Sequence, residues 1–195
     1  MKTICTTVYS FSELSEEAKQ KALENLYDLN VDYEWWDGVY EDAKNAGLSI
    51  SAFDIDRGSY CKGELTTSAL ASATEILKNH GESCDTWKMA FDFVTERNRL
   101  EKLFQHYDQM SYLYEYINEH KGIDVQDRYD HWKELFYPIE EEIEEMEKEY
   151  ENDLCGEYLS MLRKEYEYLT SEAAIIETIE ANEYTFTKNG KLMNA

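Results

Sequence analysis

Apolar residues recur at helical spacing through most of this 195-residue chain. After Ser15, a residue suited to a helix N-cap, the residues Ala18, Ala22, Leu23 and Leu26 fall on one side of a predicted helix. The same spacing predicts a second helix over 32–46, ended by the left-handed cap Gly47, a short helix over 66–80, and a long helix, continuous or broken, over 87–117.

The second half of the chain continues this helical pattern. In the segment 128–150, Pro138 either kinks a helix or occupies the first position of a new one. Further helices are predicted over 155–169 and, behind the N-cap Ser171, over 172–182.

Three other segments have the residue types or the alternation of β-strands. They are residues 3–9, a hairpin over 48–65, and a C-terminal segment whose Asn189-Gly190 pair predicts a tight turn. The sequence therefore predicts an α+β protein. Its small antiparallel sheet would gather the N-terminal strand, the 48–65 hairpin and the C-terminal strand, with a predominantly helical remainder.

Because the two ends of the chain would meet in that sheet, we expect one domain over 1–195, with residues 85–169 as a helical bundle or arm. The composition, 43% hydrophobic and 14% aromatic, supplies enough apolar surface for a packed core. High charge alone does not predict disorder here.

The formal net charge is −23, and both halves of the chain are acidic. Such a field repels nucleic acid and anionic lipid, and it favours basic partners, divalent cations or simple solubility. We expect no direct binding of nucleic acid and no membrane association. The oligomeric state stays open.

The N-terminal residues MKTICTTVYSF do not have the pattern of a signal peptide, and no apolar run is long enough to span a membrane. We therefore expect an intracellular protein. Cys5, Cys61, Cys84 and Cys155 form no CxxC motif, so we expect free thiols in or near the core.

Nucleotide-binding and hydrolase motifs are absent from the sequence, and we predict no enzymatic activity, catalytic residue, metal or cofactor. Two groups leave an alternative open. His80 and Cys84, with Cys61 as a third donor, have the chemistry of a zinc site, but a helix cap with a buried cysteine explains them without a metal and is the favoured interpretation. Asp54 and Asp56 either hold a divalent ion or are ordinary turn residues.

Two adjacent tryptophans lie among acidic residues. On a helix, Trp35 and Trp36 cannot both face one core. An exposed Trp35 beside Asp37, Glu41 and Asp42 is typical of a binding hot spot for a basic partner. A tryptophan covered by the next helix is the alternative.

The segment EEEIEEMEKEYEND, residues 140–153, contains nine carboxylates. Its apolar residues lie on one face of a helix, so the acids on the other face are either a solvated surface or a surface for a basic protein. At a rise of about 1.5 Å per residue, the nine carboxylates of the segment are spaced one per roughly 2.3 Å of helix axis. Duplex DNA carries about one phosphate per 1.7 Å of its axis. The apolar stripe is Ile139, Ile143, Met146 and Tyr150, and the predicted partner-binding acids are Glu141, Glu144, Glu145 and Glu147.

The segments FSELSEEAKQKALENLYDLNVDYEWWDGVYEDA, FDIDRGSYCKG, HGESC and YLTSEAAIIETIEANEYTFTKNGKL together resemble a family of small uncharacterised proteins of bacteriophages and mobile elements of gut bacteria. They also resemble phage-encoded anti-CRISPR proteins that block Cas9. The resemblance carries no functional residues onto this chain. The segments that carry the resemblance lie outside residues 95–155, approximately. The acidic segment 140–153 lies inside that range and does not contribute to the resemblance.

The resemblance implies an anti-defence role in the cytoplasm of a bacterial host. Together with the charge, it predicts a stoichiometric inhibitor that blocks DNA engagement by a Cas9-type nuclease, whose guide and target lie in a basic channel. A general DNA mimic directed at restriction enzymes or other DNA-binding proteins is one alternative. A metal-dependent enzyme built on His80 and Cys84, or on Asp54 and Asp56, is the other.

Overall fold

The computed structural model describes residues 7–119 and 125–194. In these residues the chain forms six α-helices and four β-strands, preceded by a 3-10 turn at Phe11–Glu13. The α+β class is confirmed. In chain order the elements are α1 (Glu16–Asn25), α2 (Asp37–Asn45), β1 (Leu48–Asp54), β2 (Tyr60–Leu65), α3 (Ala69–Asn79), α4 (Asp85–Glu119), α5 (Val125–Leu169), α6 (Glu172–Ala181), β3 (Thr185–Phe186) and β4 (Leu192–Asn194).

Two long helices make up most of the chain's second half. The predicted helix over 87–117 is confirmed as the continuous α4. Pro138 lies inside α5 and does not begin a new helix. Because proline has no amide hydrogen, the carbonyl of Glu134 has no helical donor four residues later. The segments 128–150 and 155–169, predicted separately, belong to this one helix.

The four strands form two separate antiparallel pairs in the described residues. β1 and β2 form the predicted 48–65 hairpin, with a register shift between Ile50 and Ala52. β3 pairs with β4, and the N-terminal segment joins them through one bridge between Tyr9 and Phe186. Grouping all the strands in one sheet was therefore wrong in its detail, because each hairpin pairs within itself. Residues 3–6 of the predicted N-terminal strand lie outside the described residues.

The chain divides into two compact units. The first comprises the described parts of Met1–Val39 and Ser160–Ala195. Ser15 and Ser171 cap α1 and α6 by accepting hydrogen bonds from the amides of Ala18 and Ala174, as their positions predict. One cluster of buried apolar side chains in its core comprises Phe11, Leu14, Ala18, Ala22, Leu23, Ile175, Ile179 and Phe186.

The hairpin turn at the C-terminal end also belongs to the first unit. Gly190 is buried and has φ +80°, a left-handed conformation that favours glycine. A Cβ atom there would overlap the carbonyl oxygen of Ala18 in α1. The Asn189-Gly190 turn therefore lets the strands turn back and lets the backbone approach α1 closely.

The second unit is Tyr40–Leu159. Gly47 ends α2 with φ +81°, as its position predicts. Inside this unit the hydroxyls of Ser72 and Tyr150 share a hydrogen bond of 3.1 Å, and the indole of Trp87 donates to the carbonyl of Leu77 at 3.2 Å. Its largest fully buried side chains are Leu48, Ile76, Leu100, Phe136, Leu154 and Tyr158.

The prediction of one domain over 1–195, with 85–169 as a bundle or arm, stays a prediction. Within the described ranges, no helix is long and apolar enough to cross a membrane.

Candidate protein-binding surface

The apolar stripe predicted for the acidic segment is confirmed in α5. Ile139 and Tyr150 are buried, and Ile143 and Met146 between them are half-buried. Successive members of the stripe are three or four residues apart, so they share one side of the helix. The opposite side carries exposed carboxylates, which we call the acidic face; its members are Glu134, Glu140, Glu141, Glu144 and Glu145.

The acidic face concentrates charge at a cost to the helix. Glu140 and Glu144, and likewise Glu141 and Glu145, are four residues apart, and like charges at this spacing destabilise a helix by a few tenths of a kcal/mol per pair. Only Lys148, one turn after Glu144, brings an opposite charge to the same side of the segment 140–153. The face therefore keeps a strong local negative charge.

An exposed aromatic residue accompanies these acids. The side chain of Tyr137 is 59% exposed and lies one helical turn before Glu141. Tyrosine is enriched at the centres of protein interfaces, because it combines apolar area with a hydroxyl group. Tyr137 gives the acidic face an apolar contact that carboxylates alone lack.

Glu147, predicted as a partner-binding acid, has a different position from the other three. It is half-buried and pairs with Arg97 of α4, with 3.3 Å between its Oε1 and Nε of Arg97. Glu142 lies 3.8 Å from the guanidinium of Arg99 in the same way. These two glutamates therefore contact α4, while Glu141, Glu144 and Glu145 are exposed.

The two tryptophans precede α2, which begins at Asp37, and so do not lie on a helix as predicted. Their rings contact each other edge to face at 5.7 Å, and Trp35 also packs against Tyr166 at 5.5 Å. Both indoles are half-buried. The packing partner of Trp35 thus lies in α5, which is not the next helix along the chain.

The acids predicted beside Trp35 have separate roles. Asp37 is exposed in the first turn of α2, where a negative charge is favoured by the helix dipole. Glu41 is exposed one turn later. Asp42 is half-buried and accepts a hydrogen bond of 2.9 Å from the hydroxyl of Tyr158. Burial, and then the nearby Asp42 carboxylate, raise the pKa of Tyr158 well above its ordinary value.

The zinc alternative lacks the necessary geometry. His80 caps the C-terminus of α3; its Nδ1 lies 2.8 Å from the hydroxyl of Thr86, and its Nε2 lies 3.6 Å from Asp42. Cys84 is exposed, so the prediction of a buried cysteine beside this cap was wrong. Since Cys84 follows a turn and precedes α4, nothing in its local pattern required burial. Over the described ranges, no three His, Cys, Asp or Glu side chains converge as metal ligands.

Asp54 and Asp56 form a turn. The amide of Asp56 donates a 2.7 Å hydrogen bond to the carboxylate of Asp54, at the end of β1. This is the turn chemistry that aspartate favours. The Asp54 carboxylate is thus used to close the loop.

The sequence did not predict one contact between two thiols. Cys61 of β2 and Cys155 of α5 are in hydrogen-bond contact, although 94 positions separate them in the chain. Neither lies in a recognisable motif. Only the packing of a strand against a helix brings them together, so no local signal in the sequence could have paired them.

Comparisons of the chain with protein-family models, with curated proteins and with solved structures give no match.

Proposed function

We propose that this protein is a stoichiometric, non-catalytic inhibitor that binds the nucleic-acid-binding surface of a basic protein. The observation that carries the proposal is the acidic face of α5 with the exposed Tyr137 at its start. A Cas9-type nuclease is the proposed target. The resemblance to phage-encoded anti-CRISPR proteins supports that choice, and its site of action would be the host cytoplasm.

Electrostatics supports a surface that competes with nucleic acid. Glu134 and Glu145 are eleven residues apart, so the acidic face extends over about 16 Å of helix axis. When an anionic surface binds a basic channel in place of a phosphate backbone, the association releases counterions from the two charged surfaces. Complementary charge also accelerates encounter, at rates that fall as salt is added. Inhibition should therefore weaken steeply with ionic strength.

The direct test is a titration of the purified protein into a Cas9–guide RNA complex before target DNA is added, with DNA binding and cleavage as readouts. We expect loss of DNA binding at a near-equimolar ratio and no turnover. If DNA is bound and cleaved normally with the protein in excess, the nuclease is not the target. Comparable, salt-sensitive inhibition of a restriction endonuclease and of a basic nucleoid protein would favour the general DNA mimic.

Charge-neutralising variants locate the surface. The variant Glu141→Gln/Glu144→Gln/Glu145→Gln removes three charges from the acidic face. Because these charges would complement a basic channel, we expect inhibition to weaken by about tenfold or more, which corresponds to about 1.4 kcal/mol. The matched control removes three exposed glutamates from helices of the first unit, Glu167, Glu177 and Glu180, by the same substitution. Equal effects of the two triple variants would show that net charge, and not this face, determines binding.

Two further variants test whether the other acids predicted to bind the partner contribute to inhibition. Glu147→Gln should change stability through Arg97 and leave inhibition close to that of the parent protein. Asp37→Gln/Glu41→Gln tests the exposed acids near Trp35 by the same assay. A larger loss of inhibition from this pair than from the acidic-face triple would move the binding surface to α2.

A further inference from the structure

Cys61 and Cys155 line one cavity of about 340 Å³ in the second unit. Cys61 lies in β2 opposite Phe53 of β1 and is half-buried; Cys155 lies in α5 and is 9% exposed. Cys155 also contacts the carbonyl of Gly63 at 3.9 Å, which fixes its sulfur against β2. The remaining lining residues are Tyr60, Lys62, Asn152 and Gly156.

The two thiols are chemically unequal. Cys61 donates a hydrogen bond to the sulfur of Cys155, and this bond holds the pKa of Cys155 below its ordinary value, to about 7. The same interaction, followed by burial, raises the pKa of Cys61. Cys155 is thus the thiol that ionises first, and Cys61 keeps its proton.

The other charged groups near the pair do not reverse this order. Glu151, one turn before Cys155 on α5, raises the pKa of Cys155 but is a smaller influence than Cys61. The ammonium of Lys62 lies 5.0 Å from the centre of the Tyr60 ring, so it contacts that ring at the edge of the cavity. A thiolate at Cys155 is therefore stabilised chiefly by its partner thiol.

We propose that Cys61 and Cys155 form an oxidation site for small hydroperoxides, with Cys155 as the reacting thiol and Cys61 as the resolving thiol. Three features support it: the two sulfurs are in contact, they line one cavity, and Gly156 in its lining has no atom within 4 Å of the position that a Cβ would take. The proposal does not depend on the proposed function.

The reaction has two balanced steps. The Cys155 thiolate attacks the terminal oxygen of the hydroperoxide; a sulfur–oxygen bond forms, the peroxide bond breaks, and the leaving alkoxide or hydroxide takes up a proton. Cys155 is then a sulfenic acid, oxidised by two electrons. The sulfur of Cys61 next attacks the sulfur of Cys155; a disulfide forms, the sulfur–oxygen bond breaks, and the departing hydroxide takes the Cys61 proton to leave as water.

The product joins β2 covalently to α5 within one unit. Cys61 and Cys155 enclose a large loop of the chain, and closing a long loop restricts the unfolded state more than the folded one. We therefore expect the oxidised protein to unfold at higher denaturant concentration than the reduced protein. Reduction by a dithiol should restore the original midpoint.

The experiment uses the full chain with Cys5→Ser/Cys84→Ser as the background, so that only the proposed pair remains. Purified protein is treated with hydrogen peroxide, blocked with an alkylating reagent, and digested with trypsin without reduction. The two thiols then lie on different peptides, 58–62 and 149–163. We expect one disulfide-linked species that contains both peptides, and failure to form it in a folded background variant would overturn the proposal.

Single variants assign the two roles. In the same background, Cys61→Ser should lose the cross-link and accumulate a sulfenic acid at Cys155, trapped by dimedone. Cys155→Ser should lose both the cross-link and the adduct. A dimedone adduct on Cys61 in Cys155→Ser, as abundant as that on Cys155 in Cys61→Ser, would overturn the assignment of Cys155 as the reacting thiol. Circular dichroism of each variant verifies folding, Cys61→Thr keeps a hydroxyl donor where Cys61→Ser does not fold, and Cys155→Ala serves where Cys155→Ser does not fold.

Discussion

The hydroxyl of Tyr158 donates a 2.9 Å hydrogen bond to Oδ2 of Asp42, and the other oxygen of the same carboxylate lies 3.6 Å from Nε2 of His80. Tyr158 is fully buried. One carboxylate thus connects α2, α5 and the end of α3 inside the second unit. Asp42 therefore has a structural role, although the sequence predicts it as a partner-binding residue.

We expect Tyr158→Phe to lower the free energy of unfolding by about 1–3 kcal/mol, because it leaves the half-buried Asp42 carboxylate without its donor. Urea titration followed by circular dichroism measures the change. Tyr168→Phe is the control, since Tyr168 is 57% exposed in the same helix, and it should stay within about 0.5 kcal/mol of the parent. Equal stabilities for the two variants would contradict a role for the Asp42 contact.

Alkaline pH should destabilise the protein through its buried phenols. Burial raises the pKa of Tyr150 and of Tyr158 above the ordinary value. Because the folded state holds the proton more tightly than the unfolded chain, the stabilisation is complete below the unfolded pKa of about 10 and is lost as the pH rises above it. We expect the urea concentration at the unfolding midpoint to decrease as the pH is raised from about 9.5 to about 11.5.

Tyr158→Phe provides the control for this effect. It removes one of the two phenols, so the fall of the midpoint with pH should be shallower than in the parent protein. The exposed Tyr168→Phe should keep the parent slope. A slope that is the same in all three proteins would assign the alkaline transition to other groups.

Gly190→Ala should be strongly destabilising. The residue has φ +80°, and a Cβ atom would overlap the backbone of Ala18, which cannot move as a flexible side chain does. We expect a loss of about 2 kcal/mol or more from strain and displacement of the turn. Gly38→Ala, on α2 with no atom within 4 Å of the new Cβ, should be neutral or stabilise by up to about 1 kcal/mol. Thermal unfolding of both variants measures the difference, and similar midpoints would contradict the close packing at Gly190.

The acidic face should make stability depend on salt. Raising the ionic strength from about 0.01 M to about 1 M shortens the screening length from about 30 Å to about 3 Å, which weakens repulsion between glutamates on successive turns. We expect the parent protein to gain on the order of 0.5–1 kcal/mol over this range. The variant Glu141→Gln/Glu144→Gln/Glu145→Gln should gain less, whereas Glu167→Gln/Glu177→Gln/Glu180→Gln should follow the parent. A gain in the face variant equal to that of the parent would show that these carboxylates do not repel one another appreciably.

Local sequence signals predicted the elements of this fold well, because caps, turns and amphipathic stripes act within a few residues. Ser15, Gly47 and Ser171 end or begin helices where their chemistry predicts. The buried stripe around Ile143 and Met146 follows the helical period. The sequence does not decide whether Pro138 interrupts α5, because a proline signal alone does not reveal how much packing supports the helix around it.

Contacts between residues far apart in the chain could not be predicted from the sequence. Asp42 looked like a surface acid, since its partner Tyr158 is 116 positions away. Glu147 and Glu145 have similar neighbours in the sequence. Glu147 nevertheless pairs with Arg97 of α4, whereas Glu145 is exposed. Each assignment depends on which element packs beside the residue. Periodicity specifies which side of a helix a residue occupies but not what lies against it.

The composition of the first unit's core has a consequence for the order of events during synthesis. Phe11 and Leu14 are synthesised before the second unit, but they share a core with Ile175, Ile179 and Phe186, which are synthesised after it. The whole second unit must therefore be synthesised before this core can close. The residues of the second unit form one uninterrupted segment, Tyr40–Leu159, and are all available earlier.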